Sequence, residues 1–226
     1  MTNRVASISL VLASCIGFAV TPAHAIRVGQ AAPNFTATDS NGQTRKLSDF
    51  TGKFVVLEWT NRACGFTRPH YTSGWMQNEQ RTWTEKGVIW LTVTSSGFGE
   101  DGYVSAEDES AYLKEMKAVP TAVLMDHDGT LGHLYNAKTT PEIFIINPQG
   151  VLIYEGASDG AGMVISQDKN GESLKTARDY ISQTLTEAMA GKPVSMKTTI
   201  SYGCEIHYAG VLARELADEA KRNASE

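Results

Sequence analysis

The chain has 226 residues, 42% of them hydrophobic, with 20 basic and 25 acidic side chains and a formal net charge of −5 at pH 7. A modestly acidic chain with no basic cluster falls outside the nucleic-acid-binding class. Its length suits one domain with an extension and is enough to bury a proper core.

Residues 1–25 hold one basic residue, Arg4, and no acid; an apolar stretch runs to Val20 and the segment ends in Ala23-His24-Ala25. This is the pattern of a secretory signal with a small-x-small cleavage site. The apolar stretch is broken by Ser7, Ser9 and Ser14 and falls short of a bilayer span. Leu12-Ala13-Ser14-Cys15 resembles a lipoprotein processing box, so lipidation at Cys15 is the alternative. The apolar residues that continue past Cys15 favour cleavage after Ala25. Cleavage removes Arg4, takes the formal charge from −5 to −6 and leaves Cys64 and Cys204 as the only cysteines. The expected location is the periplasm, with no transmembrane span in the mature chain.

Residues 35–47 alternate around Asn41-Gly42, the strongest short hairpin signal. Residues 54–59 form an apolar, β-rich run that suits a buried central strand. Residues 67–86 show apolar positions at helical spacing, with Pro69 near the start and Gly87 closing the helix. A second buried strand is expected over 88–94, and a glycine-rich loop over 97–105. Ser105 followed by Asp108 is close to a capping box and opens a helix over 106–117. A third strand over 121–125 and a short helical piece over 128–137 follow. After Thr140-Pro141, strands over 142–146 and 151–154 flank the turn Asn147-Pro148-Gln149-Gly150. Residues 156–171 read as irregular, 172–190 as one long helix stopped by Gly191 and Pro193, and 210–226 as a polar helical tail. This order implies an α/β fold with a mixed sheet and helices on both faces. The expected division is a signal over 1–25, a domain over 26–192 and an extension over 193–226 that carries Cys204.

Cys64 follows the apolar strand and stands just before the next helix. Backbone N–H groups and the helix dipole favour negative charge at such a place, and so favour the thiolate, the reactive form of cysteine. The expectation is a reactive thiol reached by solvent at the edge of the sheet; the alternative is an inert, buried cysteine. Cys204 has two open roles. It can attack an oxidised Cys64 and resolve it as a disulfide, or it can form a permanent bridge. A loop closed across the 140 positions between them stabilises by roughly 5 kcal/mol in the chain-entropy model. Two thiols without clustered histidines do not make a zinc or iron–sulfur site, and thiol redox chemistry needs no metal or organic cofactor.

The element order and several short motifs resemble the thioredoxin fold in its redoxin form, the alkyl hydroperoxide reductase and thiol-specific antioxidant branch. Val28-Gly29-Gln30-Ala31-Ala32-Pro33-Asn34-Phe35 resembles the opening of that branch, and Asp39 to Gly42 with Leu47-Ser48-Asp49-Phe50 resembles its next block. Trp59-Thr60-Asn61 with Cys64, Phe66, His70 and Tyr71, and the distal Tyr202-Gly203-Cys204, resemble a subgroup of it with a single-cysteine motif. The chain departs from two related patterns. Thr67 stands where thioredoxins have a second cysteine. Leu57 and Asn61 stand where peroxiredoxins have the proline and the threonine that holds the peroxide, although the Asn61 amide or the Thr60 hydroxyl can substitute.

The resemblance implies an exported thiol oxidoreductase with Cys64 and Cys204 as its catalytic pair. It also implies a thiol reductant, protein or small molecule, and a disulfide or peroxide substrate. A peroxiredoxin-like peroxidase and a non-catalytic binding module with a structural disulfide are the rival readings. Thr60, Asn61, Arg62, Thr67, Thr140 and Pro141 form the expected environment of thiolate or substrate. Thr140-Pro141 matches the cis-proline site of that fold, where the preceding backbone pairs with an extended substrate beside the thiol. Thr67 either hydrogen-bonds Cys64 or caps the helix, with capping slightly favoured. Arg62 and Arg68 flank the thiol and stabilise its charge or stay solvated. His70 and Tyr71 read as packing or hydrogen-bonding residues rather than as a base. Glu58 is either a buried proton acceptor or an outward-facing strand residue, the second narrowly favoured.

Overall fold

The structure, a computed structural model, describes residues 26–210. The signal segment, Cys15 and the tail after Gly210 lie outside the described residues. An antiparallel ribbon, β1 (Thr36–Thr38) and β2 (Thr44–Lys46), comes first and turns at Asn41-Gly42 as expected. Asp39 fixes that turn, accepting from the Asn41 and Gln43 backbone N–H groups and pairing with Arg45 Nε at 2.8 Å.

The central sheet has five strands. β3 (Val55–Trp59) lies in the middle, parallel to β4 (Ile89–Thr94), which is parallel to β5 (Ala122–Met125). On the other side β3 runs antiparallel to β7 (Glu142–Ile146), and β7 to β8 (Leu152–Gly156). Between β5 and β7 come α4 (Thr130–Tyr135) and the two-residue β6 (Thr139–Thr140).

Successive strand side chains point to opposite faces, so β3 feeds two cores. Val55, Leu57 and Trp59 pack with Leu91, Val93, Leu124 and Phe144, under α4 and the N-terminal ribbon. Val56 packs with Trp90, Val123, Ile143 and Ile145 on the opposite face. That second face is covered by α1 (Thr67–Thr72), α2 (Trp75–Thr84), α3 (Ala106–Glu115) and α5 (Tyr180–Met189), through Tyr71, Met76, Trp83, Leu113, Ile181 and Leu185. Each fully buried aliphatic side chain contributes roughly 1.5–3 kcal/mol, so the two-sided strands β3 and β7 anchor the domain.

Two helices differ from expectation. The periodic stretch 67–86 is not one helix: Gly74 takes φ +82° between α1 and α2, a left-handed conformation that glycine adopts without a Cβ clash. The stretch 172–190 opens as a 3-10 turn, Glu172–Lys175, and its α-helix begins only at Tyr180. Asp179 caps it, accepting from Ser182 N–H at 2.8 Å. A 3-10 turn, Gly162–Gln167, also lies inside the segment read as irregular. Ser105 caps α3 as the sequence predicts, accepting from Asp108 N–H at 3.1 Å.

The segment beyond α5 wraps around the domain. Thr198 bridges Glu155 at the free edge of β8, and Thr199 Oγ1 accepts from Ala157 N–H at 2.9 Å. The chain then forms β9 (Cys204–Glu205), antiparallel to β6, with Thr140 opposite Cys204 and Thr139 opposite Glu205. Ile206 enters the core under α4, and the Tyr208 ring stacks on His133 with centroids 4.0 Å apart. Among the described residues no helix is long and apolar enough to cross a membrane.

Candidate active site

Cys64 and Cys204 form a disulfide, with Cα atoms 5.8 Å apart. The bridge sits where three elements converge: the turn between β3 and α1, the peptide before Pro141, and β9. The Thr140–Pro141 peptide is cis, as the sequence predicts. The Thr140 carbonyl oxygen lies 3.1 Å from Cys64 Sγ, and Phe66 N–H donates to the same sulfur at 3.4 Å. In the bridge the Cys64 sulfur is buried, at 2% exposure, whereas the sequence reading places its free thiol within reach of solvent. Cys204 is half-buried and is the more accessible of the two. Glu142 shapes the loop before the cis peptide: its Oε2 accepts from the Lys138 and Thr139 N–H groups at 2.6 and 3.2 Å.

The remaining predicted residues divide. Thr140 and Pro141 stand at the bridge. Thr60 is buried, and its N–H donates to the Val93 carbonyl at 3.0 Å, which extends the strand pairing. Asn61 Oδ1 accepts from Ala63 N–H at 2.9 Å, a local turn bond. Arg62 reaches away from the sulfurs, donating to the Asp108 carbonyl at 3.0 Å. The Thr67 hydroxyl is buried without a hydrogen-bond partner among the described residues, so it neither caps α1 nor holds the sulfur. Phe66 occupies the N-cap position instead. Arg68 is exposed and, with Lys169, Gly65, Pro69, Thr72 and Ser166, lines a cavity of about 340 Å³ next to the Cys64 turn.

Glu58 does not face outward. It is fully buried and accepts from Tyr71 OH and Trp90 Nε1 at 2.7 Å each and from Gln80 Nε2 at 3.2 Å. Burial lifts its carboxyl above the ordinary range, and those hydrogen bonds offset part of the lift. Strand alternation places it on the α1–α2 face, where Val56 also points.

His70 is also fully buried. Nδ1 lies 2.8 Å from the Phe66 carbonyl and Nε2 lies 2.6 Å from Asp159 Oδ2. Burial opposes charge on Asp159, but bonds from His70, Tyr202 and Ser158 outweigh it and hold the carboxyl below its ordinary range. Both ring nitrogens of His70 therefore lie within hydrogen-bond distance of oxygen atoms. Both nitrogens are engaged, which fits the hydrogen-bonding role read from the sequence. Asp159 itself escaped the sequence reading. It lies in the aperiodic segment after β8, and nothing local marks it. The one available hint was the Tyr202-Gly203-Cys204 triplet, whose tyrosine reaches it.

Residues 28–155 match the AhpC/TSA family. Thiol-disulfide oxidoreductase ResA of Bacillus subtilis is 28% identical over 153 residues, 65% of this chain and 79% of its own. Peroxiredoxin Bcp of the same organism is 23% identical over 175 residues, 68% of this chain and 96% of its own. Among solved structures, a hypothetical protein from Sinorhizobium meliloti 1021 superposes with a TM-score of 0.70 at 18% identity, covering 82% of this chain and 97% of that one. With the mixed sheet, the cysteine at the tip of its central strand and the cis-proline beside it, these matches show that the chain belongs to the AhpC/TSA family, in the thioredoxin-like redoxin fold.

Proposed function

We propose that the protein is an exported thiol–disulfide oxidoreductase of the redoxin type that cycles between the Cys64–Cys204 bridge and two thiols. The observation that carries the reading is the bridge itself, held beside a cis-proline at the end of β3. The signal pattern of residues 1–25 supports export.

The bridge opens when an external thiolate attacks the Cys204 sulfur, the more accessible one. The S–S bond breaks, and Cys64 leaves as a thiolate facing the Phe66 N–H. A second external thiolate takes the first as a small disulfide and frees Cys204. Two electrons have then entered the protein. Cys64 next attacks a substrate disulfide, expelling one thiol and forming a mixed disulfide. Cys204 attacks the Cys64 sulfur, restores the bridge and releases the second thiol. The same steps run in reverse when the substrate is a dithiol. Arg68 and Lys169 in the neighbouring cavity offer two cations to the carboxylates of a small thiol such as glutathione.

The peroxidase reading has less support. Leu57 and Asn61 stand in place of the peroxiredoxin proline and threonine, and Arg62 is engaged with the Asp108 carbonyl. Glutathione buffers of graded ratio, read by alkylation and mass spectrometry, test the proposal. The bridge should open reversibly, Cys64→Ser should abolish turnover of a small disulfide, and Cys204→Ser should stall as a mixed disulfide on Cys64. A bridge with a potential below about −300 mV, or full turnover by Cys64→Ser, would leave a structural crosslink as the better account.

A further inference from the structure

Asp159 is 1% exposed and lies between β8 and α5, in the primary structure far from either cysteine. Its Oδ2 meets His70 Nε2 at 2.6 Å and accepts from Ser158 Oγ at 2.7 Å. Its Oδ1 accepts from Tyr202 OH at 2.6 Å and from Ala161 N–H at 2.8 Å. His70 lies on α1, the helix that follows Cys64, and Tyr202 lies two residues before Cys204. One buried carboxylate is thus bonded to both chain segments that carry the sulfurs. The Phe66 and Tyr202 rings meet edge to face, with centroids 6.2 Å apart.

We propose that Asp159 is a positioning residue for the redox pair. By holding His70 and Tyr202 together, it sets how much of the time the Cys204 thiol stands against Cys64 once the bridge is open. This rests on the oxidoreductase reading above. A buried, hydrogen-bonded carboxylate adds little net stability, because desolvation nearly offsets its bonds; fixing one arrangement is the best-attested use of such a group. Here that arrangement is the docking of the arm beyond α5. Closing a bridge from a docked arm is an intramolecular step whose equilibrium follows the effective concentration of the second thiol. Neutralising Asp159 weakens the bonds to His70 and Tyr202 that meet at its carboxylate, and the arm spends time undocked.

The test is the equilibrium of the bridge with glutathione buffers, measured for wild type, Asp159→Asn, Tyr202→Phe and the double variant. Asp159→Asn should lower the effective concentration about tenfold, the scale of one charge-assisted hydrogen bond. Tyr202→Phe keeps the ring on Phe66 and should lower it by a smaller factor. The double variant should match Asp159→Asn, because both changes act through one bond. A merely structural role shifts the urea unfolding of reduced and oxidised protein equally and leaves the glutathione equilibrium unchanged; that result overturns the proposal. If Asp159→Asn does not fold, an unchanged equilibrium in Tyr202→Phe overturns it alone. A wild-type bridge that no glutathione ratio opens sinks the oxidoreductase reading and this proposal with it. A wild type that opens beside variants that behave identically sinks this proposal only.

Discussion

Glu109 sits on α3, 1% exposed, and neither of its carboxylate oxygens has a hydrogen-bond partner among the described residues. Burial raises its carboxyl from the ordinary 4.5 to about 7, Arg62 pulls it down, and the nearby Glu58 pushes it up. The folded protein therefore keeps a proton that the unfolded chain gives up. The contribution of Glu109 to stability is greatest below about pH 4.5, falls as pH rises to about 7, and levels off above it. Glu109→Gln should remove that fall, a difference of up to about 3 kcal/mol between the two proteins. Urea unfolding of both on either side of the window checks it; parallel pH profiles would rule out a titrating Glu109. Glu58 is buried the same way but fully bonded, and the sequence read it less well than it read its strand. Alternation identifies the face a residue takes, yet both faces of this sheet are covered, so no alternating position in β3 meets water.

At the scale of elements, the strands were legible because an apolar run bounded by turns is a local pattern. The hairpin at Asn41-Gly42 and the Ser105 cap were legible for the same reason. The split between α1 and α2 was not, because apolar spacing continues across Gly74 and only the backbone reveals its left-handed φ. The pairing of β6 with β9 lies beyond any periodic signal, since each has two residues. It depends on Gly203, whose φ is +149° and whose added Cβ would meet the Thr140 carbonyl group, with the carbon at 2.6 Å. Gly203→Ala should push β9 off β6 and slow bridge closure by about tenfold or more, as a misplaced reactive group does. Stopped-flow oxidation of the reduced variant checks this, and wild-type kinetics would show that the arm tolerates the side chain.

The arm and the domain form one folded unit over the described residues, closed by a bridge across 140 positions. A loop of that length stabilises by about 5 kcal/mol through the unfolded state. The double variant Cys64→Ser, Cys204→Ser should lose stability of that order in denaturant unfolding. A loss under about 1 kcal/mol would mean that Thr199, Tyr202, Ile206 and Tyr208 hold the arm without the sulfurs.

The sequence by itself determined the αβ order, the place of Cys64 after the central strand, the cis-proline site and the family, because each is written in residues close along the chain. Local propensity, turn chemistry and short motifs carry that information without reference to the rest of the fold. Only the tertiary structure decided that Cys204 bonds Cys64, that Glu58 is buried, and that Asp159 joins His70 to Tyr202. Those partners stand up to 140 residues apart, and no periodicity links them. Packing two cores against one sheet and wrapping the last segment around its edge brings them within bonding distance.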